Sequence, residues 1–293
     1  GPDGCHTWST QIGDYHAATR HWRLAIRDLS EAGDQPFETE RVVLSYNGEL
    51  YNCDEIERSL PAGSEVRGSS DTAVLAELLS TTEFGDRGAL AGLNGIFAFA
   101  AFDRQRPRVL LARDRFGTKP LYWMANENGI FFASEAKALR ALVPDPAFDQ
   151  RALACYLRYG WNHTGFDLVE GIEKVAPGEQ VLWDAGTITR KRYWSPATRG
   201  SNGGIVTKPL AQTLRGAVER QLISDVPVGI MLSGGLDSSA IAAVVPPAER
   251  HRITAYAIDF AARDRRQERP HEDSSYARLV AGELGYTLTM IEA

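Results

Sequence analysis

The sequence predicts a two-domain protein that is α+β in its first part and α/β in its second. Residues 95–133 carry short apolar strands separated by turn residues, a pattern typical of an antiparallel sheet built from hairpins. After residue 206 the order becomes helix, strand, helix, strand, helix, as in a doubly wound parallel sheet. A stretch rich in Pro, Ser and Gly at residues 195–204 separates the two patterns. We therefore expect a first domain over residues 1–195, a linker over 196–205 and a second domain over 206–293.

The composition is that of a soluble globular protein with a sizeable core. The 293 residues are 43% apolar and 24% charged, with a net charge of -6. No run is rich in Lys and Arg, so we expect no nucleic-acid partner. No apolar run reaches membrane length and no signal peptide is visible, so we expect no membrane partner and a cytoplasmic protein. Three widely separated cysteines, Cys5, Cys53 and Cys155, predict neither a disulfide framework nor a zinc site.

The first domain divides into strands and short helices. Residues 1–40 are predicted to be irregular. A strand over residues 41–46 is followed at once by Asn47-Gly48, which is a strong turn signal. Helices are expected over residues 54–60 and after Asp71, where Ser70 or Asp71 would be the N-cap. The remaining predicted strands are 95–102, 109–112, 121–123, 130–133, 180–183 and 192–194, and the remaining helices are 135–142 and 150–158.

The second domain begins with an amphipathic helix. Its apolar side chains recur every four residues on one face, at Leu210, Leu214, Val218 and Leu222. Residues 228–232 are an apolar run of the length of a buried strand, and residues 233–235 permit a tight turn. A second strand is expected over residues 253–258. A helix over 276–284, ended by Gly285, would lead into a third.

One segment of this domain indicates chemistry: Ser233-Gly234-Gly235-Leu236-Asp237-Ser238-Ser239. A strand, a glycine turn and a helix N-terminus together present free backbone N–H groups and the positive end of the helix dipole, which suits a phosphate chain. The segment is neither a GxxxxGK[ST] nor a GxGxxG motif. It is similar to the pyrophosphate loop of enzymes that split ATP between the α- and β-phosphates. The alternative is an ordinary βα turn capped by Ser or Asp.

An ordered set of motifs gives the chain a family likeness. They lie at residues 1–4 (GPDG), 21–29, 47–52, 70–72, 95–99, 112–122 and 133–139, and they resemble the glutaminase half of glutamine-hydrolysing asparagine synthetases. Residues 225–239 resemble the start of the synthetase half. The resemblance covers essentially the whole chain. It implies an N-terminal-nucleophile αββα sandwich, here incomplete, followed by the start of a doubly wound parallel α/β ATP-pyrophosphatase domain.

The resemblance also implies a reaction. In such enzymes glutamine is hydrolysed at the first site and the ammonia passes through an internal tunnel. At the second site ATP activates aspartate as an acyl adenylate, and ammonia attacks it to give asparagine. The implied cofactors are ATP and magnesium, and the implied partners are glutamine, aspartate or another carboxylic acid, and a second copy of the chain in a homodimer.

Site residues follow from matching the family's motifs position by position. For glutamine, Arg23 would hold the α-carboxylate, Glu49 and Asp71 the α-ammonium, and Asn47 with the Gly48 amide would form the oxyanion hole. The same pocket would be lined by Leu24, Ala25, Ile26 and Arg27. For ATP, the adenine would lie between Leu232 and Ile258, and Asp237 would serve the magnesium ion. The phosphates would lie on Ser233, Gly234, Gly235, Ser238 and Ser239.

The chain departs from the family pattern at its ends. The family's nucleophile is an N-terminal cysteine upstream of the GPDG motif, whereas this sequence begins at that motif, and both ends look cut. We therefore expect this polypeptide to be inactive in glutamine hydrolysis on its own. Cys5 follows the motif and does not align with the nucleophile, although a near-terminal cysteine is a candidate by position. Cys53 and Cys155 are expected to be structural.

Two other interpretations stay open. The first is a related ATP-dependent enzyme that makes another amide, as β-lactam synthetases and macrolactam-forming enzymes do. The second is a catalytically inactive protein that binds glutamine or ATP. The joint presence of Arg23, Asn47, Glu49 and Asp71 favours an enzyme that uses glutamine.

Overall fold

A computed structural model describes residues 1–163, 165–196, 209–259 and 271–292, with the side chains of 271–273 left out. The chain separates into two compact units, Gly1–Asn202 and Gly203–Ala293. Apart from residue 196, the described residues do not include the predicted linker up to residue 205. None of the helices in the described ranges combines the length and the apolar composition needed to cross a membrane.

The first unit contains three sheets and five helices among its described residues. Its strands are β1 (Gly4–Ile12), β2 (Tyr15–Arg23), β3 (Phe37–Glu38), β4 (Val42–Leu50), β5 (Gly95–Asp103), β6 (Arg108–Arg113), β7 (Tyr122–Asn126), β8 (Gly129–Ala133), β9 (Glu173–Lys174), β10 (Glu179–Asp184) and β11 (Thr187–Arg192). Its helices are α1 (Cys53–Ser59), α2 (Asp71–Thr81), α3 (Arg87–Ala91), α4 (Ala136–Arg140) and α5 (Gln150–Tyr159). The sheets have the orders β11-β10-β6-β5-β4-β3, β8-β7-β9 and β1-β2, and every pairing is antiparallel.

Side-chain alternation along β4, β5 and β6 builds two cores on the two faces of the six-stranded sheet. Leu44 and Phe99 belong to the core that also contains the apolar residues of α1 and α2. Val43 and Leu111 point the other way, into a core shared with Trp123 of β7 and with the β1-β2 hairpin. The helix α4 packs on β7 and β8 from their far side. The layers therefore run helix, sheet, sheet, helix, which confirms the predicted αββα sandwich.

The expectation that residues 1–40 are irregular is wrong. Strands β1 and β2 form a hairpin that turns at Gly13, whose φ is +60°. Trp8 packs against Phe102, and Tyr15 meets the ring of Trp183 edge-on. Most other side chains of the hairpin are exposed. Because so few apolar residues mark its inner face, its sequence lacks the alternation by which strands are recognised.

The turn predicted at Asn47-Gly48 is also wrong, because β4 continues through both residues to Leu50. Gly48 lies opposite Phe97 of β5 in the antiparallel ladder. A Cβ atom on Gly48 would lie 2.2 Å from the carbonyl oxygen of Ile96. The glycine is therefore required for close approach of two backbones rather than for a turn. The last predicted strand of this unit, 192–194, is displaced as well, since β11 ends at Arg192.

The second unit has the predicted alternation. Its elements are α6 (Leu210–Gln221), β12 (Gly229–Met231), α7 (Leu236–Val244), α8 (Pro247–Arg250), β13 (Thr254–Asp259), α9 (His271–Leu284) and β14 (Thr287–Glu292). The strands pair in the order β12-β13-β14, all parallel. The strand predicted to be buried, β12, is instead an edge strand among the described residues. Its Met231 is 58% exposed, and burial begins only at Leu232.

Candidate active site

The first unit contains a polar cavity of about 330 Å³ beside the ends of β2 and β4 and the start of α2. Its lining residues are Gly1, Arg20, His21, Trp22, Arg23, Leu24, Ile26, Arg27, Gly33, Gln35, Tyr46, Asn47, Gly48, Glu49, Asp71, Thr72, Lys119 and Ser134. All residues predicted to bind glutamine line it except Ala25, whose amide instead donates to Asp3 Oδ2 at 2.9 Å. The cavity thus joins residues from four separate motifs of the sequence.

Asp71 links the start of α2 to β4. Its Oδ2 accepts hydrogen bonds from the Tyr46 hydroxyl at 2.8 Å and from the Leu50 amide at 2.9 Å, and its Oδ1 accepts from Thr72 N at 3.0 Å. The carboxylate is buried, with 4% of the residue exposed. The helix cap is Ser70, whose Oγ accepts from Ala73 N. The cap role considered for Asp71 is therefore filled by its neighbour, and Asp71 is held facing β4.

Arg23 ends β2 and ties the loop of residues 27–34 to that strand. Its Nη1 donates to the Ser30 carbonyl at 2.8 Å and to Asp34 Oδ1 at 2.9 Å. Its Nη2 donates to the carbonyl oxygens of Asp28 and Arg27. The side chain is 7% exposed and forms an ion pair with Asp34. Four protein oxygens therefore surround the guanidinium that was predicted to bind the substrate carboxylate.

Arg27 is a second guanidinium at the same cavity. Its Nη1 donates to the Leu50 carbonyl at 3.1 Å and to Cys53 Sγ at 3.5 Å. Burial raises the pKa of Cys53 to about 11, against the opposing effect of Arg27, so this cysteine is an uncharged thiol at neutral pH. Burial by itself would lower the pKa of Arg27, but Cys53, Asp71 and Glu49 raise it, so the arginine keeps its charge.

Several lining residues were not predicted from the sequence. Gln35 is buried and bridges two elements, because its Oε1 accepts from Tyr46 N at 2.7 Å and its Nε2 donates to Thr72 Oγ1 at 3.3 Å. His21 lies two residues before Arg23 on β2, so strand alternation would have put both on one face. Lys119 and Ser134 come from motifs noted only for their family likeness.

None of the three cysteines lines this cavity. Cys5 is exposed on β1, opposite Trp22, and its sulfur accepts a hydrogen bond from Arg20 Nε at 3.1 Å. Cys53 and Cys155 are buried, as expected of structural cysteines. The candidate nucleophile by position, Cys5, is therefore outside the cavity.

In the second unit the predicted phosphate loop joins β12 to α7. Gly234 has a φ of +81°, which an L-residue rarely adopts. Ser233 Oγ accepts from Gly235 N at 3.3 Å and lies 2.9 Å from Ser238 Oγ, so the loop is closed by its own hydroxyl groups. Asp237 is exposed in the first turn of α7. Ser239 Oγ is buried without a hydrogen-bond partner among the described residues.

The remaining predicted ATP residues lie at the carboxyl ends of two neighbouring parallel strands. Leu232 follows β12, and its amide donates to the Tyr256 carbonyl at 2.8 Å. Its side chain is 1% exposed, so only its backbone can face a ligand. Ile258 is 49% exposed near the end of β13. Ligands of open parallel sheets bind at this edge, and the glycine loop begins at the same edge.

Comparison with known proteins defines the class first. Residues 1–194 match the family model described as a glutamine amidotransferase domain, and residues 209–292 match the model described as asparagine synthase. The chain therefore belongs to the glutamine amidotransferases. Within that class it is a member of the asparagine synthetase family, as the motifs predicted.

Individual relatives agree with this assignment. Asparagine synthetase [glutamine-hydrolyzing] 3 of Bacillus subtilis is 32% identical over 98% of this chain and 48% of its own length. Asparagine synthetase B [glutamine-hydrolyzing] of Escherichia coli is 31% identical over 86% and 40%. Amidase chry2 of Gibberella zeae is 31% identical over 84% and 37%. The chain thus spans about half the length, or less, of these relatives.

Proposed function

We propose that the protein is a glutamine-hydrolysing asparagine synthetase. The first unit would release ammonia from the side chain of glutamine. The second would use ATP to convert the side-chain carboxylate of aspartate into an acyl adenylate, which ammonia then attacks to give asparagine and AMP. The observation that carries the proposal is the presence, in one chain, of a charged cavity in an αββα sandwich and a glycine phosphate loop at a parallel-sheet edge.

The charges of the cavity suit an α-amino acid. Glu49 and Asp71 would attract the α-ammonium group, and the arginines of the cavity would attract the α-carboxylate. Hydrolysis of the side-chain amide develops negative charge on its carbonyl oxygen. Asn47 is exposed at the cavity, and its side-chain amide with the Gly48 N–H would stabilise that charge.

The second unit suits a nucleotide triphosphate. Backbone N–H groups at the start of α7 and the orphaned hydroxyl of Ser239 are donors without a strong protein acceptor, as a phosphate chain requires. The described residues contain no group of three or more His, Cys, Asp or Glu suited to a metal. Magnesium would therefore be held by Asp237 together with phosphate oxygens, and it would neutralise part of their charge.

A second candidate differs only in the acceptor acid. The likeness to a protein named an amidase, at 31% identity, supports a related enzyme that forms a different amide from the same ammonia source. A cytoplasmic location and a homodimer remain predictions that accompany either candidate.

The oxyanion role of Asn47 provides the test in the full-length protein. We predict that Asn47→Ala lowers glutamine-dependent asparagine synthesis by roughly 100-fold or more, since one oxyanion donor is lost. Synthesis from added ammonia should be unchanged, because it bypasses the first site. Asparagine formation with each nitrogen source is the measurement.

The exposed Asn128→Ala, in the turn between β7 and β8, is the matched control and should change neither rate. Equal losses with glutamine and ammonia in Asn47→Ala would contradict the assignment. Absence of asparagine synthesis from both sources in the unmutated protein would contradict the proposed function itself.

A further inference from the structure

The two arginines of the glutamine cavity have different surroundings. Arg23 has a counter-ion in Asp34, and both of its terminal nitrogens donate to protein oxygens. Arg27 forms none of the ion pairs found within 4.0 Å in the described part of the chain. Of its nitrogens, only Nη1 takes part in a hydrogen bond there. Arg27 therefore has both charge and donors left for a ligand, whereas most of the capacity of Arg23 is used.

The position of Arg27 relative to Asp71 matches the head group of an amino acid. Leu50 connects them, since its amide donates to Asp71 Oδ2 at 2.9 Å and its carbonyl accepts from Arg27 Nη1 at 3.1 Å. A cation and an anion are thus held on the two polar groups of one residue. The α-ammonium and α-carboxylate groups of an amino acid are likewise joined through a single carbon.

The loop explains why Arg23 is also needed. Its Nη2 donates to the carbonyl of Arg27 at 3.4 Å, and its Nη1 donates to that of Ser30. Gly33 packs so closely that a Cβ there would lie 2.2 Å from Arg23 Nη2. The guanidinium of Arg23 is therefore enclosed by the loop that carries Arg27.

We propose that Arg27 binds the α-carboxylate of the substrate amino acid, and that Arg23 is a positioning residue which fixes the loop bearing Arg27. The proposal rests on the proposed use of glutamine. It assigns Arg27 a direct electrostatic contact beyond lining the pocket, and it moves the carboxylate contact away from Arg23. The free edge of a planar guanidinium can grip a carboxylate with two parallel hydrogen bonds.

The test compares two substrates in the full-length protein: L-glutamine, and L-glutamine α-amide, which lacks the carboxylate. For Arg27→Gln we expect the ratio of kcat/KM for glutamine to that for the amide to fall by roughly 10- to 100-fold, the loss typical of a charge-assisted contact. The value for the amide itself should change little. Arg27→Lys should restore part of the ratio, because it restores the charge.

Arg23→Gln should lower kcat/KM for both substrates together and leave their ratio within about twofold, because misplacing a loop affects each substrate alike. Arg23→Lys serves the same purpose if Arg23→Gln does not fold. The exposed Arg87→Gln, at the start of α3, is the matched control and should change nothing.

A ratio that collapses in the Arg23 variants, or that survives in Arg27→Gln, would overturn this assignment while leaving glutamine use intact. An unmutated protein that hydrolyses neither substrate would overturn the proposed glutamine use and this assignment with it.

Discussion

At the scale of single residues, the cavity is built from charges whose partners are already fixed by the fold. Asp71 accepts three hydrogen bonds from Tyr46, Leu50 and Thr72, so its position does not depend on a ligand. Asp34 does the same for Arg23. Such preorganisation means that a substrate entering the cavity meets groups that need little rearrangement.

His21, which lines this cavity, gives a pH prediction. Burial, followed by the nearby positive charges of the Gly1 ammonium group and Arg23, lowers the pKa of His21 to about 4. An unfolded histidine titrates near about 6.5. Between these values the unfolded chain binds a proton that the folded chain does not, so stability is complete above pH 6.5 and declines as the pH falls toward 4.

We therefore expect the free energy of unfolding, measured by urea at a series of pH values, to decrease between pH 6.5 and 4. His21→Asn should make that decrease shallower. The exposed His16→Asn, on the same strand, is the control and should leave the slope unchanged. Identical slopes for His21→Asn and the unmutated protein would contradict the account of His21.

At the scale of elements, Asp114 organises the loop between β6 and β7. It is 1% exposed and accepts four backbone hydrogen bonds, from the amides of Phe97, Phe116, Thr118 and Lys119. We predict that Asp114→Ala lowers the free energy of unfolding by about 3 to 5 kcal/mol, because it leaves these donors without their acceptor. Urea unfolding measures the change.

The matched control for this loop is Asp86, the exposed N-cap of α3, whose carboxylate accepts from the amides of Gly88 and Ala89. Asp86→Ala should cost about 1 kcal/mol, the usual value of a lost cap. A cost for Asp114→Ala no larger than for Asp86→Ala would show that the buried carboxylate does not organise the loop.

Elements differ in how far the sequence predicts them, and burial explains the difference. The central strands of the six-stranded sheet are predictable because apolar side chains fill both of their faces. The β1-β2 hairpin is not, because most of its side chains face solvent. Gly48 misleads for another reason. Asn-Gly favours a turn locally, but pairing with β5 requires a residue without a side chain at this position.

The candidate sites show the same limit. Residues within one motif, such as the glycine loop, could be predicted because a strand, a turn and a helix follow one another in the chain. The bond between Leu50 N and Asp71, or between Arg23 and Asp34, depends on tertiary contacts that spacing alone does not encode. The family likeness indicated which residues matter. It did not indicate that Arg23 is already surrounded by the loop.

At the scale of the whole molecule, the chain combines two units with different chemistry. The first has the sandwich and charged cavity of a glutamine amidotransferase, and the second has the parallel sheet and glycine loop of an asparagine synthase domain. The central claim is that the second unit activates a carboxylic acid with ATP so that ammonia from glutamine can attack it. Each half of that claim is measurable by itself in the full-length protein.

The most direct measurement is ATP–pyrophosphate exchange with a panel of carboxylic acids, with glutamine hydrolysis followed in parallel. We predict exchange that depends on aspartate and magnesium. It should be abolished by Asp237→Ala while glutamine hydrolysis is largely retained. Unchanged exchange in Asp237→Ala would show that this residue only caps a helix. Exchange with some other acid alone would exclude asparagine synthesis, and exchange with no acid at all would contradict the account.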